Sequence, residues 1–333
     1  MSGGAEIVTR LEAAARERGV SIVTSTKAIR LILQNGRVAG LAAERDNNAI
    51  SCKARRAVVL ASGGFTRNGD MIRNFGRPGA EKILPLTGQG SRGDGIRMGM
   101  GVGSGISYMT PGVAPTAPTD PETGKGVMVL YSGAIALNSH GARFCRESDL
   151  YIDTCWAALA QPGAAFVQIY DRRMRKDYAL TMMGKVLTGY REIEADSIGE
   201  LARMLEVAHG FNGDGVVAAV ARYNDHVRSG HDSDFGRTNL VGTSGALMAI
   251  ENGPFYAALC RPGTTHFNGG LTVDTEMAVR NVFGEPIPGL YAAGETTGGF
   301  HGIGYMSGTF VGMALIFGRV AGRSAAAAAA RPA

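Results

Sequence analysis

The chain has 333 residues, room for two domains and a sizeable core, and its 49 glycines are about twice the usual share of roughly 7%. The net charge of +5 is mild, and the basic residues are scattered apart from one cluster, Arg172-Arg-Met-Arg-Lys176, which argues against a nucleic-acid partner. Cys52, Cys145, Cys155 and Cys260 show neither Cys-x-x-Cys spacing nor histidines at ligand intervals, so no metal site is expected.

Without a collagen period, the glycine excess points to tight turns and close backbone approaches, as in nucleotide-binding α/β proteins. Cysteines so placed suit a reducing, cytoplasmic setting. The first residues lack the charged-then-apolar pattern of a signal sequence. The apolar run 310–321 is short of the roughly 18 residues a bilayer needs and is interrupted by Gly312, Gly318 and Arg319, so no membrane span is expected.

Residues 4–19 place Ile7, Leu11, Ala14 and Ala15 on one helical face, with Gly19 as terminator. The alternation Val20-Ser-Ile-Val-Thr-Ser reads as a strand. A second strand is expected over 28–33, and Asn35-Gly36 is a strong hairpin turn into a third. Residues 57–64 form an apolar strand ending in Gly63 and Gly64, the way a buried parallel strand meets a ligand at its carboxyl end. The glycine-rich stretch 88–95 opens a helix.

Residues 111–125, rich in Pro, Thr and Gly, read as a domain crossing. Beyond it the texture changes to a hairpin-like 135–144, a strand over 165–170, a helix over 197–207 with Ser197 and Glu200 as a capping box, a helix over 214–227 and a polar loop at 229–238. Strands resume after Pro254. In the tail, 290–293 is a short buried strand, followed by a glycine-rich turn and a helix whose first amides can face an anion or a developing negative charge. Residues 324–333 read as a frayed helix end. The expected organisation is one domain from 1–111 and 254–333, with 112–253 inserted as a lid.

Several segments, in chain order, resemble one family. They are Ser2-Gly-Gly-Ala-Glu-Ile-Val, Val58-Val-Leu-Ala-Ser-Gly-Gly-Phe65, Gly93-Asp-Gly-Ile-Arg-Met, Gly141-Ala-Arg-Phe-Cys-Arg-Glu147, Asp234-Phe-Gly-Arg237, His266-Phe-Asn-Gly-Gly-Leu, and Pro286-Ile-Pro-Gly-Leu-Tyr-Ala-Ala-Gly-Glu295-Thr-Thr-Gly-Gly. The family is the FAD-dependent one that contains the fumarate reductase and succinate dehydrogenase flavoproteins, 3-ketosteroid Δ1-dehydrogenases and tricarballylate dehydrogenase. The resemblance implies an α/β fold, a Rossmann-like FAD-binding domain with an inserted α+β capping domain, and FAD as cofactor. The Gly-x-Gly-x-x-Gly segment that opens this family's fold is not found, so a missing N-terminal βαβ segment, or a partner chain that supplies it, is expected.

The resemblance assigns Ala61, Ser62, Gly63, Gly64, Gly93, Asp94 and Gly95 to flavin contact, and Gly294 and Glu295 to the ribityl or pyrophosphate part. Gly308 and Thr309 begin the last helix, whose amides would face the flavin pyrimidine or a substrate carbonyl. His266 matches the substrate-binding histidine. Arg143 and Glu147 would pair with each other or orient a tyrosine, and Arg237 and His301 are further substrate-contact candidates. Tyr151 and Tyr305 stand where the fumarate reductase branch carries a proton-donating and a carboxylate-clamping arginine. The Glu-x-x-x-Tyr pattern is similar to the ketosteroid dehydrogenase branch, where a tyrosine takes a proton beside a carbonyl. A phenol, with a pKa near 10, needs cationic or donor neighbours for that task. For every one of these residues packing or turn geometry is the plainer alternative.

The implied reaction is α,β-dehydrogenation, or enone reduction, beside a carbonyl. Tyr151 would be the base, with Tyr305, His266 and the Gly308 and Thr309 amides holding the substrate oxygen. Two alternatives stay open. One is a fumarate reductase-like or tricarballylate dehydrogenase-like enzyme acting on a carboxylate. The other is a non-catalytic fragment or subunit whose FAD site a partner chain completes.

Overall fold

The computed structural model describes residues 3–109, 115–241, 245–301 and 308–330. Its first element, α1 (Gly3–Glu17), is closed by the Gly19 amide donating to Arg16 and the Val20 amide to Ala15. The apolar face of α1 is not packed away: Ile7, Val8 and Leu11 are exposed and rim a cleft. The strand expected over 20–25 does not form. Val20, Ile22 and Val23 lie exposed with no ladder alongside among the described residues, and an extended segment becomes a strand only when a neighbour takes up its amides and carbonyls.

An antiparallel meander follows, made of β1 (Lys27–Gln34), β2 (Arg37–Arg45) and β3 (Asn48–Lys53). Asn35 and Gly36, at φ of 51° and 73°, form its first turn, and Gln34 pairs with Arg37 across it. The second turn, Asp46-Asn47 at φ of 51° and 60°, uses residues whose short polar side chains tolerate the left-handed region.

Next come β4 (Val58–Leu60), α2 (Gly69–Phe75), β5 (Leu84–Pro85), α3 (Asp94–Met100) and β6 (Ile106–Ser107). The middle region supplies β7 (Ala117–Thr119), β8 (Ile135–Leu137), α4 (Tyr151–Leu159), β9 (Phe166–Asp171), α5 (Arg172–Leu180), α6 (Met182–Val186), β10 (Ile193–Ala195), α7 (Ile198–His209) and α8 (Gly213–Ser229). The closing region adds β11 (Phe255–Thr264), β12 (Gly270–Leu271), β13 (Ala278–Arg280), β14 (Pro286–Ala292) and α9 (Thr309–Ala327). Ser197 caps α7 by accepting the Glu200 amide at 3.2 Å, while the Glu200 carboxylate reaches back to the Asp196 amide, one residue earlier than a capping box requires.

β14 pairs in parallel with β4, Leu290 beside Val58, and antiparallel with β13 on its other side. The apolar strand expected over 57–64 gives only three residues of ladder, because from Ala61 onward the backbone turns aside to hold neighbouring loops. β11 joins the two halves of the molecule. Its first residues pair with β9 and β10, and its last with β7 and β5. The supposed crossing at 111–125 therefore contains a strand, with Ala117 and Thr119 in register with Gly263 and Arg261.

Two main apolar clusters lie on either side of this link. One includes Leu137, Phe166, Ile169, Leu201 and Tyr223 and reaches into β11 through Tyr256 and Cys260. The other includes Phe65, Ile96, Phe267, Leu271 and Leu290 beneath β4 and β14. α4 touches both, Ala158 in the first and Leu159 in the second, and its Trp156 ring lies 4.9 Å beneath the Arg77 guanidinium. Among the described residues α9 is the one helix whose length and composition meet the minimum for crossing a membrane. It carries Arg319 and Arg323 and packs its Met313 and Ala321 inward.

Four buried charges hold the middle region together. Arg143 donates from Nε and Nη2 to Glu147 at 2.8 and 2.7 Å, and from Nη1 and Nη2 to Asp232 at 3.1 and 2.9 Å. Arg237 donates to the Ala134 and Leu130 carbonyls and lies 3.5 Å from Glu147. Burial raises the Asp232 carboxyl, but hydrogen bonds from Arg143 outweigh it and leave the group well below the ordinary carboxylate range. Arg143 and Glu147 thus pair with each other, as the first of their two expected roles has it, while Arg237, a substrate-contact candidate, has its donors engaged inside the middle region, and the loop 229–238 is tied to this cluster through Asp232.

Removing one partner of such a set strands a buried charge. Glu147→Gln is expected to lower unfolding stability by about 3 kcal/mol in urea titrations at pH 7. A loss under about 1 kcal/mol would show that the cluster is not what holds this region. Because Asp232 titrates below its unfolded value, its contribution is complete above about pH 4 and fades as the pH falls further.

Candidate functional site

β14 and β4 end side by side, and the turns beyond them build the floor of the cleft that α1 rims. After β14 the chain makes a 3-10 turn at Gly294–Thr296 and buries the Glu295 carboxylate. Glu295 Oε1 accepts the Phe267 amide at 3.2 Å, and the carboxylate also takes a hydrogen bond from the Gly64 backbone. Any side chain at position 64 would start inside that carboxylate, so glycine is required there by close approach. Burial pushes the Glu295 carboxyl up, partly offset by the two backbone amides.

The same ends are tied to each other and to α3. Thr296 Oγ1 donates to the Gly63 carbonyl at 3.2 Å, the Gly93 amide to Gly64 at 2.8 Å, and the Gly95 amide to Ser62 Oγ at 2.9 Å. Phe65 stacks on Phe267 with ring centroids 4.6 Å apart, worth about 1 kcal/mol beyond the area it buries.

The cleft above has a volume of about 570 Å³. Its floor is Ala61, Gly63, Thr265, His266, Gly294 and Glu295, and its walls are apolar side chains of α1 and of α9, among them Leu11, Phe310 and Leu315. His266 is buried beside Phe310, centroids 4.4 Å apart, and its Nδ1 lies 3.1 Å from Thr265 Oγ1. Burial, with a smaller contribution from His301, drops its pKa to about 4, so the ring is neutral at pH 7. His301 packs on the same phenyl ring at 4.1 Å, and its Nδ1 is 3.5 Å from Thr309 Oγ1.

Two residues here escape sequence reasoning. Asn268 is 3% exposed, yet neither of its amide atoms has a hydrogen-bond partner among the described residues. A buried amide with both a donor and an acceptor left over is what a ligand with the complementary pair would satisfy. Its place inside His266-Phe-Asn-Gly-Gly is the available signal. Tyr131 is the other: its hydroxyl accepts the Tyr151 amide at 3.4 Å, setting two phenols together at the start of α4, and no local motif marks it.

The family model for an FAD binding domain matches residues 1–311. The chain belongs to this FAD-binding family. Its cofactor is FAD. The chain is 33% identical to a cytochrome-type fumarate reductase of Shewanella frigidimarina over 97% of its own length and 55% of the relative's. It is 29% identical to a 3-oxosteroid 1-dehydrogenase of Mycolicibacterium smegmatis, over 88% of this chain and 57% of that one. The open conformation of a flavocytochrome c3 fumarate reductase superposes with a TM-score of 0.84 at 28% identity, covering 98% of this chain and 56% of that one. The chain thus spans about half the length of the curated relatives it matches.

The cleft fits part of FAD. Apolar walls and a polar floor with a bare glycine backbone suit the uncharged flavin ring and ribityl chain. Its described lining has no lysine or arginine to meet a pyrophosphate. Of the residues expected to touch the cofactor, Ala61, Gly63, Gly294 and Glu295 face this cleft, as does His266. Ser62, Gly64, Gly93 and Gly95 stand behind the floor and fix it. Asp94 instead lines a separate cavity of about 410 Å³ between β1 and α3, with Lys27, Arg30 and Arg97. Gly308 is the N-cap of α9 and Thr309 its first residue. Tyr305 lies outside the described residues. Tyr151 opens α4, which packs on β7 and on β11, the strand that leads to His266.

Between pH 6.5 and 4 the unfolded chain protonates at His266 and the folded chain does not. Stability is expected to fall by up to about 3 kcal/mol over that window and then level off. The His266→Asn variant should lose this part of the slope in chemical denaturation measured across pH. An unchanged profile would show that His266 is not held neutral in the fold.

Proposed function

We propose that this chain forms the flavin-ring half of the site of an FAD-dependent oxidoreductase. The enzyme acts on a CH–CH bond next to a carbonyl, in the manner of the ketosteroid dehydrogenases. Residues 112–253 serve as a lid over the cleft. The observation that carries this reading is in the sequence: Tyr151 and Tyr305 stand where the resemblance places the proton-donating and carboxylate-clamping arginines of the fumarate reductase branch. A dicarboxylate would need cations there, whereas a neutral carbonyl compound needs hydrogen-bond donors and apolar walls.

When bound, FAD supplies the hydride acceptor or donor. The residues of this chain bind, exclude water and move the proton. Glu295 and the glycine backbone hold the flavin's ribityl side, and α1 and α9 close apolar walls over the ring. Neutral His266 offers one ring nitrogen to the substrate oxygen, together with Tyr305 and the first amides of α9. Tyr151 Oη takes the proton beside the carbonyl. Tyr131, whose phenol burial keeps protonated, fixes the backbone at the start of that helix.

A second reading, reduction of an unsaturated carboxylate, is favoured by the similarity to fumarate reductase. With FAD bound, Tyr151→Phe should lower the rate of 3-ketosteroid or enone turnover by a hundredfold or more while leaving the flavin spectrum unchanged. Undiminished turnover would remove Tyr151 as the base, and turnover of fumarate alone would move the assignment to carboxylates. Titration of the chain with FAD, followed by flavin fluorescence, measures the grip of these residues alone. Micromolar affinity would dismiss the need for a partner chain, and no quenching would show that these residues need a further segment or a partner chain to hold FAD.

A further inference from the structure

Three features meet on one face of the middle region that the flavin site leaves unused. The first is an apolar tip: across the α5–α6 hairpin Leu180, Met182 and Val186 are 66%, 74% and 71% exposed, with Met183 beside them. Three large aliphatic side chains held this far into water along one hairpin are a patch rather than scattered residues.

The second is charge. Between 172 and 186 the chain carries Arg172, Arg173, Arg175, Lys176 and Lys185 against Asp177 alone, a local excess almost as large as the net +5 of the whole protein. Arg172 and Arg173 occupy the first turn of α5, which has no acidic residue, so they sit at the positive end of the helix. That placement is electrostatically unfavourable in isolation and is relieved by an external anion. Asp171, the N-cap of α5, sets one buried carboxylate at that end, held by the amides of Met174, Glu251 and Asn252, so two guanidinium charges still face a single anion.

The third is a cavity of about 530 Å³ directly beside the tip, lined by Arg172, Arg175, Lys176 and the rings of Tyr178, Tyr190 and Tyr256. Arg175 is already paired with Glu192 at 2.9 Å and lies 4.8 Å over the Tyr256 ring. Arg172 and Lys176 are exposed on the rim, where they can meet a phosphate.

We propose that the α5–α6 hairpin docks this protein on the surface of an anionic lipid bilayer. Leu180, Met182 and Val186 enter the boundary between headgroups and acyl chains, the ring of cations meets lipid phosphates, and the cavity receives one headgroup. Charge complementarity selects the occupant, since the tip alone would suit any apolar partner and the cations alone any anion, whereas a bilayer with acidic headgroups presents both at the right depth. The contact is peripheral and independent of which substrate the flavin site takes.

Co-sedimentation of the full chain with phosphatidylcholine vesicles, with and without a quarter of phosphatidylglycerol, tests this. Binding is expected only to the anionic vesicles, weakening at least tenfold between 50 and 500 mM salt. The pairs Met182→Glu/Val186→Glu and Arg172→Glu/Lys176→Glu should each weaken it tenfold or more. Val207→Glu, on the exposed side of α7, should leave it unchanged. Met182→Trp supplies a readout that needs no loss of binding, because its emission should shift to the blue on adding anionic vesicles. Equal binding to neutral vesicles, binding that survives both double variants, or no emission shift would overturn the proposal. So would retention on immobilised polyglutamate without vesicle binding, which would assign the face to an acidic polypeptide.

Discussion

The Glu295 carboxylate, half-buried between two strand ends, is the constraint on which the cleft depends. The backbone amides of Phe267 and Gly64 reach it there and offset the cost of its burial. That requirement draws the turn after β4 and the loop before β12 onto the end of β14. Gly64 must lack a side chain, and Phe267 must present its amide, which places its ring on Phe65 and His266 at the cleft floor. One polar group therefore positions three segments that are far apart in sequence.

The middle region solves its own problem with charge. Two arginines and two acids are enclosed together, and their hydrogen bonds reach segments near 134, 147 and 237 that share no ladder. A buried set of this kind adds little net stability over apolar packing, but losing any one member strands a buried charge, which ties the loops it connects to one another. The rigid result supports α4, whose first residue is Tyr151 and whose last lies in the other core.

How much of the molecule is legible in the sequence depends on how local each cause is. Asn35-Gly36 announces its turn because the dihedral demand lies within those two residues, and the Ser197 cap is likewise complete within four. The alternation at 20–25 misleads because it describes a face, while a strand also needs a partner that no local pattern supplies. β7 is hidden inside a Pro- and Thr-rich stretch because its register is set by β11, far along the chain. In the site, the glycines and His266 are legible from their motifs. Arg143, Glu147 and Arg237 are legible as functional types, but Arg143 is turned inward by Asp232, 89 residues away, and Arg237 by the carbonyls of Ala134 and Leu130, more than a hundred residues away. Asn268 lies inside the His266-Phe-Asn-Gly-Gly motif, but only burial without a partner among the described residues singles it out, and Tyr131 carries no motif signal and emerges only from a contact across the fold.

β11 makes the two halves answer to each other. Its start is locked into the middle-region core and its end is two residues from His266, so movement of that core relative to the flavin floor is felt at Thr264 and Thr265. Thr264 is itself held, its hydroxyl donating to the His266 carbonyl at 2.7 Å. The histidine is thus fixed to the strand that enters the middle region as well as to the floor that carries Glu295. If residues 112–253 act as the proposed lid, their displacement would act first on this ring. Neutrality then matters more than basicity for this histidine, because an uncharged ring can shift against Phe310 without moving a charge through an apolar wall.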